Sequence, residues 1–307
     1  MADDLRFDGR VAVITGGARG LGRAHALLLG RQGCKVVVND VGAAIKGDGL
    51  DAGPAQQVVD EIRAMGGEAV ANTDSVATLE GGQAIIQAAL DTFGRIDVLI
   101  HNAGNVRYGS LSEISYEDFK SVVDVHLMGA FHVVRTAFPL MMAQNYGRIV
   151  LTSSIGGIYG NNNCVNYGVS KSGMIGLNNI AALEGENNNV KSNLLVPSAV
   201  TRMAEGLDIS QYPAMDPELV SPLVGWLCHE QCDVTGEMFG AIAGRIARCY
   251  IAETVGVYRP EWTMREVGDL MGPIHDKADA LDFGLHGHLG HIGYSFQMAR
   301  GEVKGKA

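Results

Sequence analysis

Residues 10–14 (Arg-Val-Ala-Val-Ile) form an apolar run that leads directly into Thr15-Gly16-Gly17-Ala18-Arg19-Gly20-Leu21-Gly22. A helical pattern then runs over 21–32, and a second apolar run occupies 35–39. Strand, glycine-rich turn, helix and strand in this order constrain the chain more than any other stretch, because they make a unit able to cradle a dinucleotide pyrophosphate at a helix N-terminus. Gly16 permits the tight turn, Gly20 lets the backbone approach a phosphate, and Gly22 allows the helix to pack closely. Arg19 and Leu21 flank that approach. The spacing is Gly-x-x-x-Gly-x-Gly, not Gly-x-Gly-x-x-Gly.

The rest of the chain repeats the alternation. Further strands are expected at 68–71, 96–100, 148–151 and 190–196, with helical patterns at 54–65, 116–142 and 219–232. Such alternation predicts an α/β, Rossmann-type doubly wound parallel sheet with helices on both faces, and one ligand crevice at the strand C-terminal ends. Residues 1–250 are expected to form this domain and 251–307 a C-terminal extension.

Candidate cofactor contacts follow from the strand ends. Asp40 closes the second strand, where a carboxylate accepts from a ribose diol and opposes a 2′-phosphate, so NAD is expected rather than NADP. Arg19 is the contrary signal, since it could reach a phosphate. Asp74, with Ser75 beside it, is placed to meet the adenine amino group or to cap the helix that begins near Thr78. The small residues Asn102, Ala103 and Gly104 would leave room for the cofactor against the sheet. The sixth strand ends at Pro197, and Val200 and Thr201 lie on the nicotinamide side. The polar surface loop 42–53 either drapes over the adenosine end of the cofactor or is disordered.

A second constellation supplies chemistry. Ser154 follows the strand at 148–151, Tyr167 comes thirteen residues later and Lys171 four after that. Helical i, i+4 spacing brings the Lys171 ammonium near the Tyr167 phenol, and a cation there is expected to lower the phenol pKa. Tyr167 becomes a usable acid/base, and Ser154 could hydrogen-bond the same substrate oxygen.

A net charge of −10 argues against a nucleic-acid partner, and no apolar run is long enough for a membrane span. Five scattered cysteines suit a reducing cytoplasm, and the acidic start lacks the order of a signal peptide. Cys228, His229 and Cys232 superficially resemble a metal site. On the expected helix they read better as buried small residues, and no metal is expected there or among His275, His286, His288 and His291. Thr263 and Glu266 form a candidate capping box for a short helix in the extension.

Taken together, Thr15-Gly16-x-x-x-Gly20-x-Gly22, Asn102-Ala103-Gly104, Ser154 and Tyr167-x-x-x-Lys171 resemble the short-chain dehydrogenase/reductase superfamily over roughly residues 7–245. The resemblance implies that Tyr167 is the general acid/base, that Ser154 polarises the carbonyl or alcohol, and that Lys171 also binds the nicotinamide ribose. It further implies a homodimer or homotetramer. Two departures stand out: His126 replaces the usual Asn, whose main chain holds a relay water, and Pro197-Ser198 replaces Pro-Gly. The loop after Asp40, His126, residues 157–161 and 226–230 look like the dehydrogenase domain of multifunctional β-oxidation enzymes and single-domain actinobacterial relatives. That branch implies NAD-dependent oxidation of a (3R)-hydroxyacyl-CoA, or of a steroid-bearing substrate. An NADPH-dependent 3-oxoacyl carrier-protein reductase, a hydroxysteroid dehydrogenase and a catalytically silent NAD(H)-binding regulator are the alternatives.

Overall fold

The structure is a computed structural model that describes residues 5–43, 49, 51–200 and 211–306. Eight strands form one sheet: β1 (Val11–Thr15), β2 (Lys35–Asn39), β3 (Ala69–Asn72), β4 (Val98–His101), β5 (Gly147–Thr152), β6 (Val190–Ser198), β7 (Met238–Ile242) and β8 (Arg245–Cys249). Their order is β3-β2-β1-β4-β5-β6-β7-β8, and the pairings from β3 to β7 are parallel. Covered on both faces, such strands read as continuous apolar runs; all five residues of β1 and all six of β5 are buried. Each expected strand falls within two residues of its place. The sheet departs from wholly parallel at β8, which follows β7 through Ala243 and Gly244, both at positive φ, the connection of an antiparallel hairpin.

Helices α1 (Gly20–Arg31), α2 (Gly53–Ala64), α3 (Leu79–Phe93), α4 (Tyr116–Val123), α5 (Gly129–Ala143), α6 (Ile155–Ile158), α7 (Val165–Gly185) and α8 (Ser221–Cys228) fill the connections. On one face Leu29 of α1, Ile62 of α2 and Leu227 of α8 close over Ile14, Val36, Ile100 and Val150. On the other, α3 packs on α5, and α4 and α5 pack on α7.

Three local expectations change. The helix expected over 116–142 is interrupted by a π-helical turn, Asp124–Met128, which contains His126. The helix expected over 219–232 stops at Cys228, because His229 turns to extended backbone, packs edge-on to Phe7 and accepts the Gln231 N–H at its Nδ1. Cys228 and Cys232 therefore do not share a helix, although both are buried. The cap of α3 is Thr78, whose hydroxyl accepts from Gly81 N, so Asp74 is not the cap.

The chain divides into two compact units between Arg248 and Cys249. The second contains α9 (Met264–Asp269), with the reciprocal Thr263–Glu266 capping box, α10 (Met271–Ile274) and α11 (Gly287–Ala299). Among the described residues, no group of three potential ligands gathers around a metal position, and no helix is long and apolar enough to cross a membrane.

Candidate active site

The sheet order reverses between β1 and β4, the position where open parallel sheets place their ligand crevice. A cavity of about 560 Å³ opens there. Its walls include Gly16, Arg19, Gly20 and Leu21 from the turn; Asp40, Asp74 and Ser75 from the ends of β2 and β3; Asn102, Ala103 and Gly104 after β4; and Tyr167, Lys171 and Pro197. Ala43 and Gly49, two of the described residues of the polar loop, also line it. Val200 is not brought to the wall, and its N–H is spent on the Met215 carbonyl. Thr201 lies outside the described residues.

The turn is held by its own neighbours. Asp40 accepts from Ala18 N at 3.1 Å and from Gly42 N at 2.8 Å, so its carboxylate is fixed at the end of β2. Arg19 Nη1 donates to the Ala43 carbonyl at 3.3 Å, which ties it to the loop. Arg19 gives α1 no side-chain cap, so the first N–H groups of α1 remain available to an anion. Gly22 does not line the cavity but is equally constrained. A Cβ there would lie 2.1 Å from the Gly16 carbonyl oxygen and 2.8 Å from Asn102 Nδ2. The cavity volume, the carboxylate and the uncapped helix together fit a dinucleotide.

Beneath the turn runs a buried network that motif reading does not single out. His101 Nε2 faces the His126 carbonyl at 3.1 Å, and a carbonyl only accepts, so that nitrogen carries the proton. His101 Nδ1 then accepts from Thr15 Oγ1 at 3.0 Å, while Thr15 Oγ1 accepts from Asn102 N and Ala103 N. Burial pushes His101 down to about 3, in keeping with this neutral tautomer. Asn102 Nδ2 completes the join by donating to Gly16 O. The ends of β1 and β4 are thus locked together under the cofactor cavity.

The catalytic candidates sit at the far end. Ser154 caps the short α6, its Oγ accepting from Gly156 N, and it faces a second cavity of about 370 Å³ lined also by Ile155, Tyr159, Asn161 and Cys164. Tyr167 lines both cavities. Lys171 is buried; its Nζ lies 5.5 Å from the Tyr167 ring centroid and donates to the Thr152 carbonyl. The expected lowering of the Tyr167 pKa by Lys171 is not what the structure shows. Burial pushes the phenol up, with Ser154 acting in the opposite sense, while burial lowers Lys171 to about 7.

Asn166 is a further residue that motif reading misses. Its amide is fully buried: Oδ1 accepts from Tyr167 N at 2.8 Å, and Nδ2 donates to Arg107 O at 2.9 Å and Asp118 O at 3.3 Å. The N-cap of α7, Cys164, offers no side-chain acceptor, and Asn166 supplies one from within the first turn. An Asn immediately before the candidate Tyr at a helix start is the available signal.

Residues 10–209 match the family model described as short chain dehydrogenase. The chain belongs to the short-chain dehydrogenase family. It is 46% identical over 287 residues to the peroxisomal multifunctional enzyme type 2 of Drosophila melanogaster, covering 91% of this chain and 47% of that protein. A short-chain type dehydrogenase/reductase of Mycobacterium tuberculosis is 44% identical over 240 residues, covering 78% of this chain and 84% of that one. Among solved structures, the full-length Drosophila enzyme superposes with a TM-score of 0.81 at 38% identity, covering 98% of this chain and 51% of the other. A short chain dehydrogenase from Mycobacterium avium gives 0.77 at 40% identity, covering 87% and 94%. The chain therefore spans about half the length of the multifunctional enzyme it matches. It is an oxidoreductase acting on CH–OH groups of a small-molecule substrate with a nicotinamide cofactor.

Proposed function

We propose that the chain oxidises a (3R)-hydroxyacyl-CoA to the 3-oxoacyl-CoA with NAD. The observation that carries NAD is Asp40: its carboxylate, fixed by two backbone N–H groups on the cavity wall, supplies an acceptor for a ribose diol and repulsion for a 2′-phosphate. The acyl-CoA assignment draws on the similarity to peroxisomal multifunctional enzymes, which extends over 91% of this chain in the Drosophila protein. It also draws on the mostly apolar second cavity beside Ser154. Cytoplasmic residence is part of the same reading. It draws on five free thiols, four of them buried, although several relatives are named as peroxisomal.

In this reading the uncapped start of α1 and the turn residues hold the pyrophosphate, Asp40 the adenosine ribose, and Lys171 the nicotinamide ribose. When bound, the nicotinamide supplies the hydride acceptor. Ser154 orients the substrate hydroxyl from the second cavity, and Tyr167, in the phenolate form that burial shifts towards alkaline pH, removes its proton as the carbonyl forms. The deciding experiment is reduction of NAD and NADP with (3R)-hydroxyacyl-CoAs of graded length beside a hydroxysteroid. Turnover of an acyl-CoA with NAD upholds the proposal. Turnover of the steroid alone, or a preference for NADP, overturns it.

A further inference from the structure

Gly156 lines the second cavity, yet neither its backbone nor its packing requires a glycine. It lies in α6 and is not among the glycines at positive φ, unlike Gly160 just beyond, so a side chain is conformationally permitted. A Cβ on Gly156 would lie 3.6 Å from Ser154 Oγ, 3.6 Å from Tyr167 Cε1 and 3.7 Å from Tyr167 Cδ1. Those are ordinary van der Waals separations, so the protein leaves a methyl-sized space unfilled. Glycine is also a poorer helix former than alanine, so the open space is kept against local preference.

Gly157 is the contrast. A Cβ there would come within 2.6 Å of Lys171 Cβ and 2.8 Å of the Lys171 carbonyl carbon, so the close approach of α6 to α7 demands glycine at that position. The two neighbours are glycine for different reasons: Gly157 is filled by the protein and Gly156 is left empty.

The empty space lies against the side chains assigned to the substrate hydroxyl, because the missing Cβ would touch both Ser154 and Tyr167. Ile155, Tyr159 and Cys164 continue the wall, and no charged side chain is among the described residues that line this cavity. The Cys164 thiol donates to the Asn161 and Asn162 carbonyls at 3.4 and 3.2 Å, which leaves its sulfur as a soft, weakly polar surface. A phosphate-bearing handle finds no cation here, whereas a hydrocarbon substituent finds matching walls.

We propose that Gly156 is a specificity-determining residue: by lacking a side chain it makes room for the hydrocarbon substituent of the carbinol carbon to lie against Ser154 and Tyr167. The inference rests on the dehydrogenase reading above and adds a direction to it. The hydrocarbon enters the second cavity past Gly156, and the thioester and its coenzyme A handle point out of it.

The test compares Gly156→Ala with Gly157→Ala, using (3R)-hydroxybutyryl-CoA and (3R)-hydroxydecanoyl-CoA with NAD. For Gly156→Ala we expect the long-chain to short-chain ratio of kcat/KM to fall by about 10- to 200-fold, the discrimination one methylene gives in an apolar pocket, chiefly through KM. Its melting temperature should be no lower than that of the wild type. Gly157→Ala should lower the melting temperature and depress both substrates alike. An unchanged ratio in Gly156→Ala overturns the proposal. So does an equal loss with both substrates, which is the signature of a displaced Ser154 or Tyr167. If wild-type protein oxidises a hydroxysteroid and no acyl-CoA, the acyl-CoA assignment falls separately. Gly156 then keeps its role if Gly156→Ala raises the steroid KM by a similar factor, and loses it if the steroid KM is unmoved. Wild-type protein that oxidises none of these alcohols refutes both.

Discussion

Tyr167 and Lys171 stand one helical turn apart, with Lys171 Nζ 5.5 Å from the tyrosine ring centroid, and burial drives their acidities in opposite directions. The phenol is pushed up and the ammonium down to about 7, so burial disfavours the charged form of each group. Removing the phenol while keeping the ring should separate chemistry from binding. Tyr167→Phe is expected to lower kcat by at least roughly 10²–10⁴-fold while NADH affinity, read by fluorescence, stays nearly unchanged. Retained turnover would remove Tyr167 from the mechanism.

Lys171 also leaves a signature in stability. Its pKa falls from 10.5 to about 7 on folding, so between those values the unfolded chain binds more protons than the folded one. Stability contributed through this group therefore rises with pH across that window, and below it the cost of burying the charge is felt in full. Lys171→Met is expected to raise the melting temperature more near pH 6 than near pH 10, with a gain on the order of a few kcal/mol at the acid end. Thermal melts of both proteins across that range check the sign; a gain that grows with pH would contradict it.

The turn between β1 and α1 and the Tyr167–Lys171 pair were legible because each needs particular residues at fixed local spacing. Gly22 had to lack a Cβ and Lys171 had to follow Tyr167 by one turn. The strands were legible because burial on both faces demands continuous apolar runs. What local pattern could not show were meetings of residues distant in sequence. Thr15, His101 and His126 form one network across three elements, and Asn166 reaches back to Arg107 and Asp118. The early end of α8 belongs to the same class, because His229 is held by Phe7 and by a hydrogen bond from its Nε2 to the Arg6 carbonyl. Spacing misjudges the pKa of Tyr167 for a related reason: it reports the nearby cation but not the burial that outweighs it.

Asp40 combines two tasks, and its replacement should expose both. Asp40→Ala removes the acceptor for Ala18 N and Gly42 N as well as the negative charge on the cavity wall. The NAD-over-NADP preference in kcat/KM is expected to fall by about tenfold or more, equivalent to about 1.4 kcal/mol, with a higher KM for NAD. Steady-state kinetics with both cofactors decide it, and an unchanged ratio would deny Asp40 its assigned role.

Gly22 offers a test of the cradle that involves no charge. The Cβ of Gly22→Ala would overlap the Gly16 carbonyl oxygen, a backbone atom that cannot rotate aside. Either α1 moves away from the turn or the turn opens. The expected result is a loss of about 1–3 kcal/mol in denaturant unfolding together with weakened NADH binding. A variant with wild-type stability and affinity would show that the close approach of α1 to the turn is dispensable.

The Asn166 clamp leads to a prediction with a built-in control. Asn166→Asp keeps an acceptor for the Tyr167 N–H but loses the donor to Arg107 O and Asp118 O, placing a carboxylate against two carbonyls. Asn166→Ala loses both halves, taking the acceptor from the Tyr167 N–H and a donor from the Arg107 and Asp118 carbonyls. Each unmet group costs about 1–3 kcal/mol, so the alanine variant should be the less stable of the two unless the buried carboxylate charge costs more than the missing bonds. Lowering the pH tests that proviso directly, because the introduced carboxyl group, once protonated, can donate to one of the two carbonyls. Asn166→Asp should therefore regain stability and kcat on acidification relative to Asn166→Ala, as measured by paired melts and initial rates. If the two variants respond alike to pH, the amide's contacts with Arg107 and Asp118 do not govern the placement of Tyr167.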